Sequence, residues 1–128
     1  MGAPVGLRNP PAVHVYSLDG WDIWAGKTAS DNDRLSIKVA RGNDWWFHVR
    51  GMPGSHVVLF VRDGREPSKD IIEAAAAVAA YHSKQRQGGV VSVTGTRAKN
   101  VSKPRGAKAG SVTVKKESVF KVRPGIPE

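Results

Sequence analysis

One alanine-rich segment, residues 68–87, restricts the fold of this chain more than any other feature. It reads SKDIIEAAAAVAAYHSKQRQ, and its middle combines high helix propensity with small side chains. Ser68 is suited to the N-cap position, and the Gly88-Gly89 pair stops the pattern. We therefore predict one long helix from Ser68 to about Gln87. Its smooth alanine face allows close packing on a sheet.

Short segments on both sides of this helix alternate apolar and polar residues, which is typical of strands. Asp19-Gly20 predicts a tight hairpin between the first two strands. The segment His56–Val61 is nearly all apolar, which favours a central position in the sheet. The predicted strands are Val13–Leu18, Trp21–Gly26, Asp44–Arg50, His56–Val61, Val90–Thr94, Ser111–Lys115 and Ser118–Val122, with a further short strand near 98–101.

A second, shorter helix is predicted over Asp31–Ala40, with Ser30 or Asp31 as its N-cap. Leu35 and Val39 would form its buried side. The predicted fold is therefore α+β. It consists of a curved, mostly antiparallel sheet of about seven strands, with one long helix packed on it and one short helix.

The length of 128 residues is that of a single domain. We expect this domain to span residues 13–124, after a flexible N-terminal arm (1–12) and before a short tail (125–128). The chain has no cysteine, no secretory signal pattern and no apolar run of about 18 residues. These observations exclude disulfides, thiolate metal sites and a transmembrane helix, and they predict a cytoplasmic location.

The net charge of +9 is unevenly distributed along the chain. Residues 1–73 contain nine basic and nine acidic residues, whereas residues 74–128 contain eleven basic residues and two acidic ones. A segregated basic surplus is typical of proteins that bind a polyanion. The charge distribution therefore favours nucleic acid as the partner over an acidic membrane or protein surface, or over a surface that only promotes solubility.

The segment Asn43–Phe60, NDWWFHVRGMPGSHVVLF, concentrates aromatic and histidine side chains around a Pro-Gly turn. Strand alternation places Trp45, Phe47 and Val49 together on a face that is typical of a core. The opposite face then carries an unusual set of side chains, namely Asp44, Trp46, His48 and Arg50.

This second face allows more than one interpretation. We predict that Trp46 and His48, with His56 beyond the turn, contact a base or a ribose, because an indole is a stacking surface. The enzymatic alternative uses Asp44, His48 and His56 as a reactive group. In a purely structural interpretation, Asp44 and His56 cap the turn through backbone hydrogen bonds. No metal-ligand spacing and no nucleophile motif is present, so we predict no cofactor, no metal ion and no catalytic residue.

A second segment, Thr96–Gly110, reads TRAKNVSKPRGAKAG and contains five basic residues and no acid. Its small and turn-forming residues keep the backbone accessible, as phosphate binding requires. Backbone amides at Gly54-Ser55 are candidates to receive a phosphate, although a plain turn is the alternative. The complete predicted RNA-binding set is Arg97, Lys99, Lys103, Arg105, Lys108, Lys84, Trp46, His48, His56 and Arg50, with Gly54 and Ser55 as a phosphate-contacting turn.

Three blocks of sequence together resemble a known family. They are D-x-W-x-H followed by P-G-S-H-V within residues 44–57, A-A-Y-x-S-K at 79–84, and T-R-x-K-x-V-x-K-P-x-G-A-K-x-G at 96–110. Two upstream segments, D-G-W at 19–21 and G-K at 26–27, fit the same pattern. The chain thus resembles, over residues 17–124, the NFACT-R domain. This domain is the C-terminal RNA-binding module of the RqcH/NEMF family of ribosome quality-control factors, historically labelled fibronectin-binding proteins in bacteria.

The resemblance implies RNA binding, with tRNA and the large ribosomal subunit as the family's partners. The family's full-length members also carry an NFACT N-terminal domain, a helix-hairpin-helix segment and a coiled coil. None of these matches this sequence, so we expect a free-standing NFACT-R protein that binds tRNA or rRNA without catalysis, in a ribosome-associated or translation quality-control context. The alternatives are an RNA-modifying or RNA-processing enzyme and a protein-interaction module, which an exposed apolar patch would favour.

Overall fold

A computed structural model describes residues 10–128 of the chain. The predicted flexible arm, residues 1–12, therefore lies largely outside the described residues. At the end of this arm the backbone of Ala12 is anchored. Its N–H donates to Asp31 Oδ1 at 3.0 Å, and its carbonyl accepts from the N–H of Lys27 at 3.1 Å.

Eight strands form two antiparallel sheets within the described residues. Their bounds are β1 Val13–Leu18, β2 Trp21–Gly26, β3 Trp45–Val49, β4 Val57–Leu59, β5 Val91–Arg97, β6 Val101–Ser102, β7 Thr113–Val114 and β8 Ser118–Val122. Six of them form the main sheet in the order β1-β2-β4-β3-β5-β8, and β6 pairs with β7. The predicted β1–β2 hairpin and the central position of β4 are both confirmed.

The long helix α2, Lys69–Tyr81, packs on one face of the main sheet. Ser68 is its N-cap, as predicted, and its hydroxyl accepts a hydrogen bond from the N–H of Ile71. The helix buries its alanine face against apolar side chains of the sheet such as Phe47 and Val57. The predicted α+β architecture is therefore confirmed. Across residues 10–128, no helix has the length and the apolar character needed to cross a membrane.

A second layer covers the opposite face of the main sheet. It begins with the short helix α1, Ala29–Asp33, and continues as a π-helical segment, Arg34–Val39. Leu35 and Val39 are buried on its inner side, as predicted. They form a second core with Trp46, to which the strand β6 also contributes. The sheet is thus packed on both faces.

Both helices differ from prediction at one end. The N-cap of α1 is Thr28, rather than Ser30 or Asp31. The hydroxyl of Thr28 accepts from the N–H of Asp31, and the Asp31 carboxylate accepts from the N–H of Thr28 at 3.1 Å. This reciprocal capping box starts the helix earlier than a single cap at Ser30 would.

The helix α2 ends at Tyr81, well before Gln87. Beyond it, the Ser83 hydroxyl donates to the carbonyl of Ala80 at 2.6 Å and accepts from the N–H of Gln85 at 3.1 Å. A side chain thereby replaces the next helical hydrogen bonds, which stops the helix. The residues after Tyr81 therefore do not continue along the helix axis.

The prediction that Trp46 is presented to a partner is wrong. Strand alternation does separate Trp45 from Trp46, and Trp45 lies on the α2 side with Phe47 and Val49, as predicted. Trp46, however, is only 2% exposed. The second layer covers its face of β3, and its indole N–H donates to Ser36 Oγ at 2.8 Å. An indole in this position supports the core and is not accessible for stacking on a base.

Candidate functional site

A groove of about 700 Å³ opens at the end of the sheet where the second layer meets the C-terminal end of α2. Its walls are the turn after β3, the start of α1, the residues that follow α2 and the loop between β6 and β7. No aspartate or glutamate of the described chain lines it. Four basic residues and three histidines do, namely Lys27, Lys84, Arg86, Lys108, His14, His48 and His82. The groove is therefore a concave surface of positive potential.

The basic side chains reach the groove from three separate parts of the chain. Lys27 follows β2 directly, Lys84 and Arg86 follow α2, and Lys108 belongs to the loop before β7. The early end of α2 allows Lys84 and Arg86 to line the groove, because a helix that continued to Gln87 would place both residues further along the helix axis. All four side chains are exposed, so they remain accessible to a ligand.

His14 and His82 form a ring pair on one wall of the groove. Their ring centroids lie 4.4 Å apart and the ring planes differ by 15°. A hydrogen bond of 2.6 Å joins the Tyr16 hydroxyl to His82 Nε2. Burial, the neighbouring His14 and then Arg86 lower the pKa of His82 to about 4, and burial together with Lys27 lowers the pKa of His14. Both imidazoles are therefore neutral at pH 7.

His48 lies between the groove and the buried cluster below it. Its ring is 5.3 Å from the ring of His56, which is only 2% exposed. His56 Nδ1 is hydrogen-bonded to Ser36 Oγ at 2.8 Å, the same hydroxyl that accepts from Trp46. Burial, with a smaller contribution from His48, lowers the pKa of His56 to about 4, and burial also lowers that of His48. Of the three predicted contact residues on this face, only His48 lines the groove.

The reactive group of the enzymatic alternative, Asp44, His48 and His56, is not assembled. The carboxylate of Asp44 accepts from the N–H groups of Arg41 and Val61, at 2.9 and 2.8 Å. Its role is to cap the start of β3 through backbone hydrogen bonds. The structural interpretation predicted a backbone cap, but at the Pro-Gly turn, where Asp44 has no contact of this kind. Since Asp44 and His48 are four residues apart on an extended strand, roughly 13 Å separates them. Among residues 10–128, no three His, Cys, Asp or Glu side chains are placed to hold a metal ion.

The turn at Gly54-Ser55 does line the groove, but it is not an open pair of amides. The N–H of Ser55 donates to the His82 carbonyl at 3.2 Å, and the Ser55 hydroxyl donates to the Gly26 carbonyl at 2.7 Å. These bonds tie the turn to the end of α2 and to the end of β2. The prediction that both amides receive a phosphate is wrong for Ser55, whose amide has an internal partner.

The basic segment Thr96–Gly110 is an ordered loop for much of its length, and Lys103 holds it together. The Lys103 ammonium donates to the carbonyls of Lys108 and Ser111, at 2.7 and 3.0 Å, and pairs with Asp33 Oδ2 at 3.3 Å. The N–H of Gly110 donates to both oxygens of the Asp33 carboxylate at 3.1 Å. Lys103 therefore positions the part of the loop that carries Lys108 to the groove.

The other predicted basic residues lie outside the groove. Arg97 packs over the Trp45 ring, donates to the Asn43 carbonyl at 2.7 Å and pairs with Glu66. Its guanidinium is therefore on the α2 side of the sheet. Arg50 pairs with Glu117 at 3.2 Å. Lys99 and Arg105 are exposed in the same segment, but neither lines the groove.

Several groove residues were absent from the predicted site, namely His14, Lys27, His82 and Arg86. Their signal in the sequence is weak, because an isolated histidine or lysine on a strand end is common on any surface. Two of them had a local cue: Lys27 belongs to the G-K pair of the family resemblance, and Arg86 lies two residues after the predicted Lys84. The fold brings these residues together from β1, β2 and the end of α2.

The comparison with known proteins shows the family of this chain. The family model described as "NFACT protein RNA binding domain" matches residues 12–116. This range contains both helices, every strand except β8, and every basic residue and histidine of the groove. The chain belongs to the NFACT RNA-binding domain family, and the predicted resemblance is confirmed.

Curated relatives share this domain as part of much longer proteins. The chain is 40% identical over 117 residues to the Rqc2 homolog RqcH of Streptococcus suis (strain 05ZYH33), covering 91% of this chain and 21% of the relative. It is 38% identical over 117 residues to the same-named protein of Bacillus subtilis (strain 168), covering 91% and 20%. The chain thus spans about a fifth of the length of these curated relatives.

One solved structure has the same fold. It is the C-terminal part of the fibronectin/fibrinogen-binding protein of Streptococcus suis, with a TM-score of 0.81 and 36% sequence identity. The match covers 95% of this chain and 48% of that chain.

Proposed function

We propose that this protein is a non-catalytic RNA-binding module and that RNA binds in the groove. The observation that carries the proposal is the composition of the groove, in which four cations and three imidazoles converge without a carboxylate. Phosphates are the natural ligands of such a surface, since Lys and Arg neutralise them and release counterions. The exposed Lys99 and Arg105 provide further phosphate contacts along the same loop.

Two features support binding over the alternative functions. Asp44 is fully engaged in capping a strand, and His56 is buried, so the groove lacks an acid that could orient His48 for catalysis. A protein-interaction module would need an apolar patch. Four large apolar side chains are exposed in the described chain, namely Val15, Val90, Val119 and Ile126, and none of them lines the groove. Val15 and Val119 lie on the opposite edge strands β1 and β8.

The relatives support a more specific context. Because the chain is 40% identical over 117 residues to an RqcH protein, we propose that its RNA is tRNA or rRNA of the large ribosomal subunit, encountered in the cytoplasm during translation quality control. Co-sedimentation of the protein with ribosomal subunits tests this context. A protein that stays at the top of the gradient while binding purified RNA would contradict the ribosomal context alone.

The test of RNA binding itself combines a groove variant with a matched control. The groove variant replaces Lys27, Lys84 and Lys108 with glutamine. We expect its affinity for tRNA, measured by fluorescence anisotropy, to fall at least about tenfold at low salt. Each lost phosphate contact should also reduce the slope of log K against log salt by about 0.7.

The control replaces Lys38, Lys69 and Lys121 with glutamine. These lysines are exposed and lie outside the groove, so this variant loses the same net charge. We expect the control to bind nearly as tightly as the unmodified protein. Equal losses in the two triple variants would mean that only net charge matters, and an affinity that does not change with salt would contradict phosphate binding.

A further inference from the structure

We propose that the groove takes one or two unpaired nucleotides, with a base against the His14–His82 ring pair and its phosphates at the lysine rim. This inference rests on the proposed RNA binding and adds the class of RNA, namely single-stranded or locally unpaired. Three independent features of the groove support it: its shape, its rings and the position of its charges.

The size of the groove suits a single nucleotide. Its volume of about 700 Å³ lies within the range of about 300–1,000 Å³ that is typical of pockets enclosing a small ligand. An RNA duplex keeps its bases inside the stack and offers a protein its backbone and a shallow minor groove. A splayed nucleotide, in contrast, can enter a concave site.

The ring pair provides a preorganised stacking surface. Tyr16 holds His82 through the hydrogen bond to Nε2, and His82 holds His14 by stacking at 4.4 Å. Both imidazoles are half-buried, so their rings lose little freedom when a ligand binds. Unpaired RNA bases commonly stack on aromatic side chains, including histidine. The ring pair therefore has the chemistry that an exposed base requires.

The lysines line the same groove as the rings. Lys27, Lys84 and Lys108 are exposed and come from three different segments of the chain. A nucleotide whose base lies against the rings would place its flanking phosphates toward this rim. Phosphate contacts of this kind position a strand, whereas contacts to the base distinguish unpaired from paired RNA.

The experiment compares three RNA ligands at one salt concentration. They are an unstructured 12-nucleotide strand, the same strand in a blunt duplex, and the duplex extended by a two-nucleotide 3′ overhang. We expect the single strand and the overhang duplex to bind about tenfold more tightly than the blunt duplex, as one or two stacked bases would produce. A blunt duplex that binds as tightly as the single strand would overturn the inference but leave RNA binding intact. Failure of all three ligands to bind would overturn both.

The variant His14→Val tests the ring pair directly. Valine suits a β-strand, so the variant keeps β1 and removes only the ring. We expect it to lose most of the preference for the single strand and the overhang duplex over the blunt duplex. A variant that folds with an unchanged thermal midpoint and retains the full preference would overturn the assignment to these rings. If His14→Val is unstable, Tyr16→Phe, which removes only the bond to His82, should reduce the same preference.

Discussion

Asp33 is an acidic residue inside a basic surface, and its contacts explain its presence. Its carboxylate accepts from the N–H of Gly110 and pairs with Lys103, which in turn donates to the Lys108 carbonyl. The acid therefore holds the loop that carries Lys108 to the groove. Charge-assisted hydrogen bonds of this kind are stronger than neutral ones.

We predict that Asp33→Asn weakens RNA binding by about threefold or more, because the loss of the charge-assisted bonds loosens the loop. Electrostatics alone predicts the opposite, since the substitution removes a negative charge near the groove. The sign of the change in affinity, measured by fluorescence anisotropy, thus separates positioning from charge.

Asp19→Asn is the matched control for this prediction. Asp19 is exposed in the β1–β2 turn with φ of 49°, a backbone conformation that asparagine tolerates well. We expect unchanged or slightly tighter binding from this control. If Asp33→Asn also tightened binding, Asp33 would have no positioning role.

At the scale of the secondary-structure elements, the packing of the strand β5 depends on Gly95, over which two aromatic rings lie. A Cβ atom at Gly95 would lie 2.6 Å from Phe120 Cε2 and 2.9 Å from Phe47 Cε1. These two rings belong to the strands on either side of β5 and meet edge to face, with centroids 5.8 Å apart. The packing of three strands against α2 therefore requires the absence of a side chain at this position.

We predict that Gly95→Ala lowers the free energy of unfolding by about 1–3 kcal/mol, the usual cost of overpacking a core. Urea denaturation of the variant would measure this change. The control is Gly125→Ala, because a Cβ atom at Gly125 meets nothing within 4 Å. The control should stay within about 0.5 kcal/mol of the unmodified protein. Equal stabilities for the two variants would show that the rings move aside without cost.

At the scale of the whole molecule, the two-layer packing makes stability dependent on pH. Covering both faces of the sheet buries His56 and half-buries the other three histidines, and all four pKa values are lowered. A histidine with a lowered pKa binds fewer protons in the folded state than in the unfolded chain. Its contribution to stability is thus complete above the unfolded value of 6.5 and is lost as the pH falls through the folded-state pKa, which is about 4 for His56 and His82.

We predict that the free energy of unfolding falls steadily between pH 7 and pH 4.5. His56 alone should account for about 2 kcal/mol of this loss by pH 5. The exposed part of His82 makes its contribution smaller than its pKa suggests. The measurement is chemical denaturation across this pH range.

The variant His56→Asn, which cannot be protonated, should flatten this pH dependence even if it lowers stability at every pH. The pKa of Asp31 is lowered chiefly by its hydrogen bond from the Ala12 backbone, so its stabilising effect is lost only as the pH falls below its usual pKa of 3.8. The losses of stability that come from His56 and from Asp31 therefore fall in different pH ranges. An unchanged slope in the variant would contradict the assignment to His56.

Much of the local structure could be predicted from the sequence. The alanine segment with Ser68 before it predicted α2 and its N-cap, and alternation predicted that Phe47 and Val49 face the core. The motif blocks identified the family. These predictions succeeded because helix propensity, capping and alternation depend on residues that are close in sequence.

The predicted site was only partly right, and Trp46 and His82 show why. Alternation assigned Trp46 to the second face of β3, but it cannot tell whether another layer covers that face. The π-helical segment does cover it, and this decided that Trp46 is core. His82 follows a helix that ends early, and its partners His14 and Tyr16 lie far away in sequence.

The sequence by itself therefore determined the elements, the basic surplus and the family. Only the tertiary structure decided which basic and histidine side chains share a groove. The physical reason is that the groove is formed by contacts distant in sequence, such as the bonds from Ser55 to His82 and from Gly110 to Asp33. Such contacts form when two layers pack on one sheet, and no local pattern encodes them.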